Sequence, residues 1–187
     1  MFKNVPASAL FLTALGLIPL YGFALAIWFI GLNADGQLTD AARAWMGFLV
    51  NAQLIYTALI ASFLGAIHWG LAMANIGWER QIRPDPERWD DGGQGTPRYE
   101  PAVRQMLYSV APCLFAWAFV LMFQFFFVAW PPLLLMMLLL LGVYVGDRNA
   151  VRYRLAPPWF TELRAPATIA AEVALLITLL ASTPATR

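Results

Sequence analysis

From Gln105 to Gly146 the chain reads QMLYSVAPCLFAWAFVLMFQFFFVAWPPLLLMMLLLLGVYVG, a run without one charged side chain. Its middle is broken by Trp130-Pro131-Pro132. About 20 consecutive apolar residues suffice to cross the hydrocarbon core, so the run is long enough to cross twice, with the two prolines at a tight turn between crossings. Water-soluble domains do not leave so long an apolar stretch uncharged. The run therefore decides the fold class: all-α, a polytopic integral membrane helix bundle.

Working outward, three more apolar segments flank this pair, and the expected spans are residues 7–31, 48–78, 106–128, 131–146 and 166–182. Each is read as a helix, because a backbone in lipid must satisfy its own hydrogen bonds. The whole chain, 1–187, is then one transmembrane domain. Within it residues 79–104 form a charged loop with Pro84, Pro86, Pro97, Pro101, Gly92, Gly93 and Gly95, a composition that excludes a long regular element. Lys3, an apolar stretch and Ala24-Leu25-Ala26 imitate a signal peptide, but hydrophobicity continues through Ile27-Trp28-Phe29-Ile30, so an uncleaved first span is expected. With five spans, Lys3 and the arginines of 79–104 and 147–165 fall on one side, and Arg43 and Arg187 on the other. The positive-inside rule then puts the N-terminus in the cytoplasm and the C-terminus outside, with a bacterial plasma (inner) membrane as the simplest address. Trp28, Trp45, Trp78, Trp130 and Trp159 fall near span ends, where aromatic belts form.

Composition narrows the function classes. The chain is 60% hydrophobic and 12% charged, where a soluble domain has about 25% charged residues. A net charge of +1 argues against nucleic acid as a partner. Cys113 is the only cysteine and His68 the only histidine, which removes an internal disulfide and any site needing two imidazoles from this chain. The sequence has no His-Glu-x-x-His, Gly-x-Ser-x-Gly, Walker or Cys-x-x-Cys motif, so protease, hydrolase, ATPase and thiol-redox readings lose support. No catalytic, cofactor-binding or metal-binding residue is assigned, and no cofactor is expected.

What remains is a short set of polar and small residues inside the spans. In span two, Thr57, Ala61, Gly65, His68, Ala72 and Asn75 recur at helical spacing and form one stripe. A second row, Ser62, Ala66, Gly70 and Ala74, has the strict fourfold spacing that lets a neighbouring helix approach closely. Counted from Trp78, His68 lies about 15 Å inside the boundary, near the midplane, where an ionisable residue is either a proton relay or ligand group or a neutral imidazole hydrogen-bonded to a neighbouring helix. Glu172 counts to about 10 Å from the cytoplasmic end, with Pro166 in the first helical turn. It is expected to reach back to Arg148, Arg152 or Arg164; the alternatives are that it protonates or finds a partner such as His68, since a central charge costs on the order of 3 kcal/mol on insertion scales. Asp147-Arg148 marks the end of span four, where boundary charges commonly serve topology. The candidate functional polar residues are thus His68, Asn75, Asp147, Arg148 and Glu172, and the candidate packing residues Ser62, Gly65, Ala66, Gly70 and Ala74.

Several strings together resemble a known family: Gly16-Leu17-Ile18-Pro19, then Tyr56, then Ser62-Phe63-Leu64-Gly65-Ala66-Ile67-His68-Trp69-Gly70, then Gly146-Asp147-Arg148, and Leu163-Arg164 near a Pro-Trp. This pattern resembles the transmembrane protein 69-like family of bacterial and mitochondrial inner-membrane proteins. The resemblance implies a compact multi-span bundle and assigns no catalytic or ligand residue; Glu172 lies outside its strings. Two readings of function lead, ahead of an intramembrane enzyme. One is a non-catalytic accessory or assembly subunit that binds the lipid bilayer and other membrane subunits. The other is a proton- or small-molecule-handling protein, of carrier or quinone-site type, that uses His68 and Glu172.

Overall fold

A computed structural model of the protein describes residues 5–32, 38–82 and 100–182. Five helices follow in order, α1 (Ala7–Leu32), α2 (Asp40–Ile82), α3 (Glu100–Phe126), α4 (Trp130–Arg152) and α5 (Trp159–Ser182). All five are long and apolar enough to cross a membrane. They pack in a ring in which each touches the next and α5 closes on α1, while α2 also meets α4 across the middle. A core of Leu20, Ile27, Leu54, Leu133, Met136 and Leu175 fills the centre. The outer surface carries exposed Phe, Leu and Trp side chains such as Phe11, Leu59, Phe125 and Leu180, as lipid contact requires.

Several helices overrun the expected spans. α2 continues at both ends, from Asp40 to Ile82, about 65 Å against the ~40–45 Å of a whole bilayer. α4 continues past Gly146 to Arg152, and α5 starts at Trp159 rather than at Pro166. The loop expected over 147–165 therefore shrinks to residues 153–158. Charge misled the boundaries, because a helix need not stop where its side chains first meet headgroups. Most of the loop expected over 79–104 lies outside the described residues, which end at Ile82 and resume at Glu100.

The turn from α4 to α5 has a definite construction. Arg154 takes a left-handed backbone, φ 59°, and its N–H donates to the Val151 carbonyl while the Leu155 N–H donates to that of Ala150. This is the Schellman pattern that closes a helix C-terminus. Leu155 packs beside Ala150 in a small cluster with Ala156 and Phe160, and the chain re-enters the membrane after Pro157-Pro158. α4 and α5 are thereby folded back as an antiparallel pair, which brings residues near 147 and 164 to one depth. At the other end, Phe127 also has a positive φ, 52°, and Pro131 lies in the first turn of α4, where a missing N–H costs nothing.

Three prolines lie inside helices: Pro19, Pro112 and Pro166. Pro166 is thus an interior residue of α5 and not part of its first turn. Each removes one hydrogen-bond donor, and near two of them α2 makes close contact. Around Pro19, α2 donates to two α1 carbonyls, Tyr56 Oη to Gly16 at 2.9 Å and Gln53 Nε2 to Leu20 at 3.3 Å. Beside Pro112, the Ser109 carbonyl lies so close to Gly65 that any Cβ there would collide with it.

Candidate functional site

His68 is the residue around which the polar side chains gather, and it is almost fully buried. It belongs to the buried face of α2 with Thr57, Ala61, Gly65 and Ala72. Its Nε2 lies 2.8 Å from Asp147 Oδ1, and Asp147 is wholly inaccessible to solvent. The other carboxylate oxygen, Oδ2, accepts from Arg164 Nε at 2.7 Å. On the far side of the imidazole, Gln105 Nε2 is 3.4 Å from Nδ1. An ionised carboxylate only accepts, so Nε2 carries the proton; with the Gln105 amide oriented as it is, its N–H faces Nδ1 and its Oε1 is left buried without a partner. The tautomer is assigned by these partners.

The cluster draws on four helices, α2, α3, α4 and α5. Tyr108 of α3 completes it, its ring edge-on to the imidazole with centroids 5.2 Å apart. The Tyr108 hydroxyl donates to the Gly142 carbonyl at 3.3 Å and sits in the notch left by Gly146, where an added Cβ would strike it. Gly65 and Gly146 therefore have the same task on opposite sides of α3: they let it come close enough for Gln105 and Tyr108 to reach His68. Both oxygens of Asp147 and both nitrogens of His68 are engaged. An aspartate with a guanidinium and an imidazole N–H on it, closed off from water, is a clamp. Removing one member would leave a charge stranded in an apolar medium.

The depth of the clamp corrects the sequence reading. Asp147 lies five residues from the end of α4 and Arg164 five from the start of α5, about 8 Å from each terminus. His68 is therefore held toward the loop end of the bundle and not at the midplane. Glu172, by contrast, is thirteen residues into α5, about 20 Å, and is the group nearer the middle. The expected His68–Glu172 pair is not formed, since His68 bonds Asp147 and neither Glu172 oxygen has a hydrogen-bond partner. Nor does Glu172 reach back to an arginine; Arg164 is taken by Asp147. Asp147 is not a headgroup anchor but the fully buried hub, while its neighbour Arg148 is exposed. Asn75 lies on α2, with its side chain outside the described residues.

The packing expectation divides in the same way. Gly65 makes the close approach, whereas Ala66, Gly70 and Ala74 are exposed and Gly70 has open space around it. No described helix of this chain packs on that row, and Ser62 turns its hydroxyl to its own helix at the Ala58 carbonyl. Cys113 is likewise exposed. Sequence reasoning missed Gln105 and Tyr108 as neighbours of His68, and Arg164 as the partner of Asp147. A signal was present for Arg164 alone, as a basic residue that follows a proline-rich turn within reach of Asp147.

A second polar knot lies in the other half. Gln53 Oε1 accepts from Thr178 Oγ1 at 2.6 Å, and the Thr57 hydroxyl bonds the Gln53 carbonyl at 2.7 Å. At that end a cleft of about 460 Å³ opens beside Phe48, Phe123 and Phe127, with Asn51 and Gln124 hydrogen-bonded on its wall. Among the described residues no group of three or more His, Cys, Asp or Glu side chains is placed to hold a metal ion.

Fold and site together define a class, the five-helix membrane-spanning bundle closed by a buried ionic clamp. The chain belongs to the family of proteins of unknown function DUF3429, whose profile matches residues 5–180. Comparison with curated proteins and with solved structures found no match. The matched residues run from the start of α1 into α5 and include His68, Asp147 and Arg164.

Proposed function

We propose that this protein is a non-catalytic bundle of the bacterial inner membrane, related to the transmembrane protein 69-like proteins, that serves other membrane subunits as an accessory or assembly component. The observation that carries this reading is the closure of the clamp. His68, Asp147 and Arg164 are the residue types from which an active site would be built, yet Asp147 and His68 have their polar atoms committed to one another, to Arg164 and to Gln105. Their geometry supports holding four helices together. The Lys and Arg distribution supports a cytoplasmic N-terminus and the loop 153–158 on the cytoplasmic side.

Purification of the full chain in mild detergent, with identification of stoichiometric companions, tests the reading. A reproducible membrane partner is expected, lost together with the fold when Asp147 is replaced. A chain that purifies alone and transports a small solute or protons in vesicles would overturn it. Reporter fusions after Gly92 and Ala156 should report cytoplasm, and those after Gly36 and Arg187 the outside.

A further inference from the structure

Beyond Arg164, α5 carries Thr168 and then Glu172 at intervals of one helical turn, so three polar side chains stand on one stripe that leads from the clamp into the bilayer. Arg164 is satisfied by Asp147. The next two are not. Thr168 Oγ1 and both carboxyl oxygens of Glu172 are shut off from solvent and have no hydrogen-bond partner. Helical hydroxyls elsewhere in the bundle behave differently: Thr57, Ser62 and Thr178 each bond the carbonyl four residues back. A buried polar atom without a partner is costly, and three such atoms on two successive turns call for a ligand.

The surroundings decide which ligand. The helices packed against α5 are chiefly α1 and α4. α1 carries no acidic or basic side chain, and Tyr21 is its only titratable group. On α4, Asp147 is held by His68 and Arg164, Arg148 and Arg152 belong to the loop end, and Tyr144 is the remaining titratable group. His68 of α2 is engaged as well. On α5 itself Glu162 lies in the first turn and Arg164 in the clamp. Among the described residues, no free cation therefore faces a charged Glu172. A metal ion would need about six oxygen ligands, whereas this stripe offers two carboxyl oxygens and one hydroxyl. A proton needs none of these, because it converts the carboxylate into a neutral acid.

We propose that Glu172, with Thr168 one turn away, is a proton-binding carboxyl near the midplane of the bundle, held as the neutral acid in the folded protein. The step is a reversible protonation, carboxylate plus proton to carboxylic acid, with no other reactant. It does not depend on the accessory-subunit reading, which rests on the clamp and is tested by partners.

The test uses the full chain in lipid nanodiscs. Infrared spectra at neutral pH are expected to show a protonated-carboxyl carbonyl band that is present in the wild type, absent in Glu172→Gln, and lost reversibly as pH is raised. Glu172→Gln should melt within a few degrees of the wild type, since an amide has the shape and neutrality of the acid, and should lose the wild type's fall in stability as pH rises from acid. If the variant does not fold, a hydrophobic carbodiimide applied to the wild type should label Glu172, as mapped by mass spectrometry, with less labelling at high pH. Carboxylate bands alone in the wild type, or no label at Glu172, would overturn the proposal.

Discussion

The two buried polar knots of this bundle, fifteen residues apart on α2 and so about 22 Å along its axis, are built from opposite materials. The knot at His68 joins a guanidinium, Arg164, and an imidazole through one carboxylate, Asp147. The one at Gln53 joins an amide, two hydroxyls and the Leu20 carbonyl, and it contains no charge. Both are closed to solvent and both bridge helices that are distant in sequence. They differ in the consequence of losing a partner. Losing one hydrogen bond of a neutral group in a membrane core costs less, because the unfolded helices in lipid also find it a partner. A stranded carboxylate or guanidinium has no such refuge. The charged knot therefore specifies one arrangement of α2, α4 and α5, while the neutral knot tightens an arrangement that apolar packing already favours. Glu172 stands between them on α5 as the polar group that belongs to neither.

Replacing the hub tests this contrast most severely. Asp147→Ala should cost about 3–5 kcal/mol, the usual consequence of stranding a buried charge. Reversible unfolding in mixed micelles measures it, and combining Asp147→Leu with Arg164→Met should restore much of the loss. If Asp147→Ala is no worse than Gln53→Ala, the distinction between the knots collapses.

Next in size is the approach of α3. Gly65→Val should cost about 1–3 kcal/mol, because overpacking must displace the Ser109 backbone. The same change at Gly70, which has open space around it, should stay within about 0.5 kcal/mol. Thermal melts of the two variants side by side decide the matter, and equal losses would show that the outward row also packs.

Smaller effects are expected at the neutral knot, where Gln53→Leu and Thr178→Val should each lose on the order of 0.6 kcal/mol. Their combination should lose less than the sum, since both act on one hydrogen bond. Full additivity in a double-mutant cycle would mean that the bond contributes nothing of its own. The smallest change has the opposite sign: Arg154→Gly relieves a left-handed residue in the turn that aligns the clamp and should stabilise by up to about 1 kcal/mol. A lower melting temperature instead would show that the arginine side chain matters there more than its backbone.

How much of this was legible in sequence depends on the range of the interaction involved. Hydropathy, the Trp-Pro-Pro break and the spacing Thr57, Ala61, Gly65, His68, Ala72 needed only local geometry, and with them came the all-helical bundle and the buried face of α2. The sequence by itself also singled out His68, Asp147 and Glu172 as polar groups in need of an explanation. It could not say which of them meet. That depended on where α4 stops and α5 begins, a matter of the Schellman turn at Arg154 and of helices that run past their first charges. An error of seven residues in the start of α5 moves Glu172 about 10 Å along the membrane normal, enough to exchange its apparent depth with that of His68. Two rows of small residues on α2 looked alike in spacing, and only the tertiary structure chose between them, because spacing records where a helix is able to be approached and not whether a neighbour arrives. Periodicity is a property of one helix, and partnership is a property of several. For that reason the chain alone determined its class and its buried stripe, while the clamp of His68, Asp147 and Arg164 and the isolation of Glu172 were decided by packing.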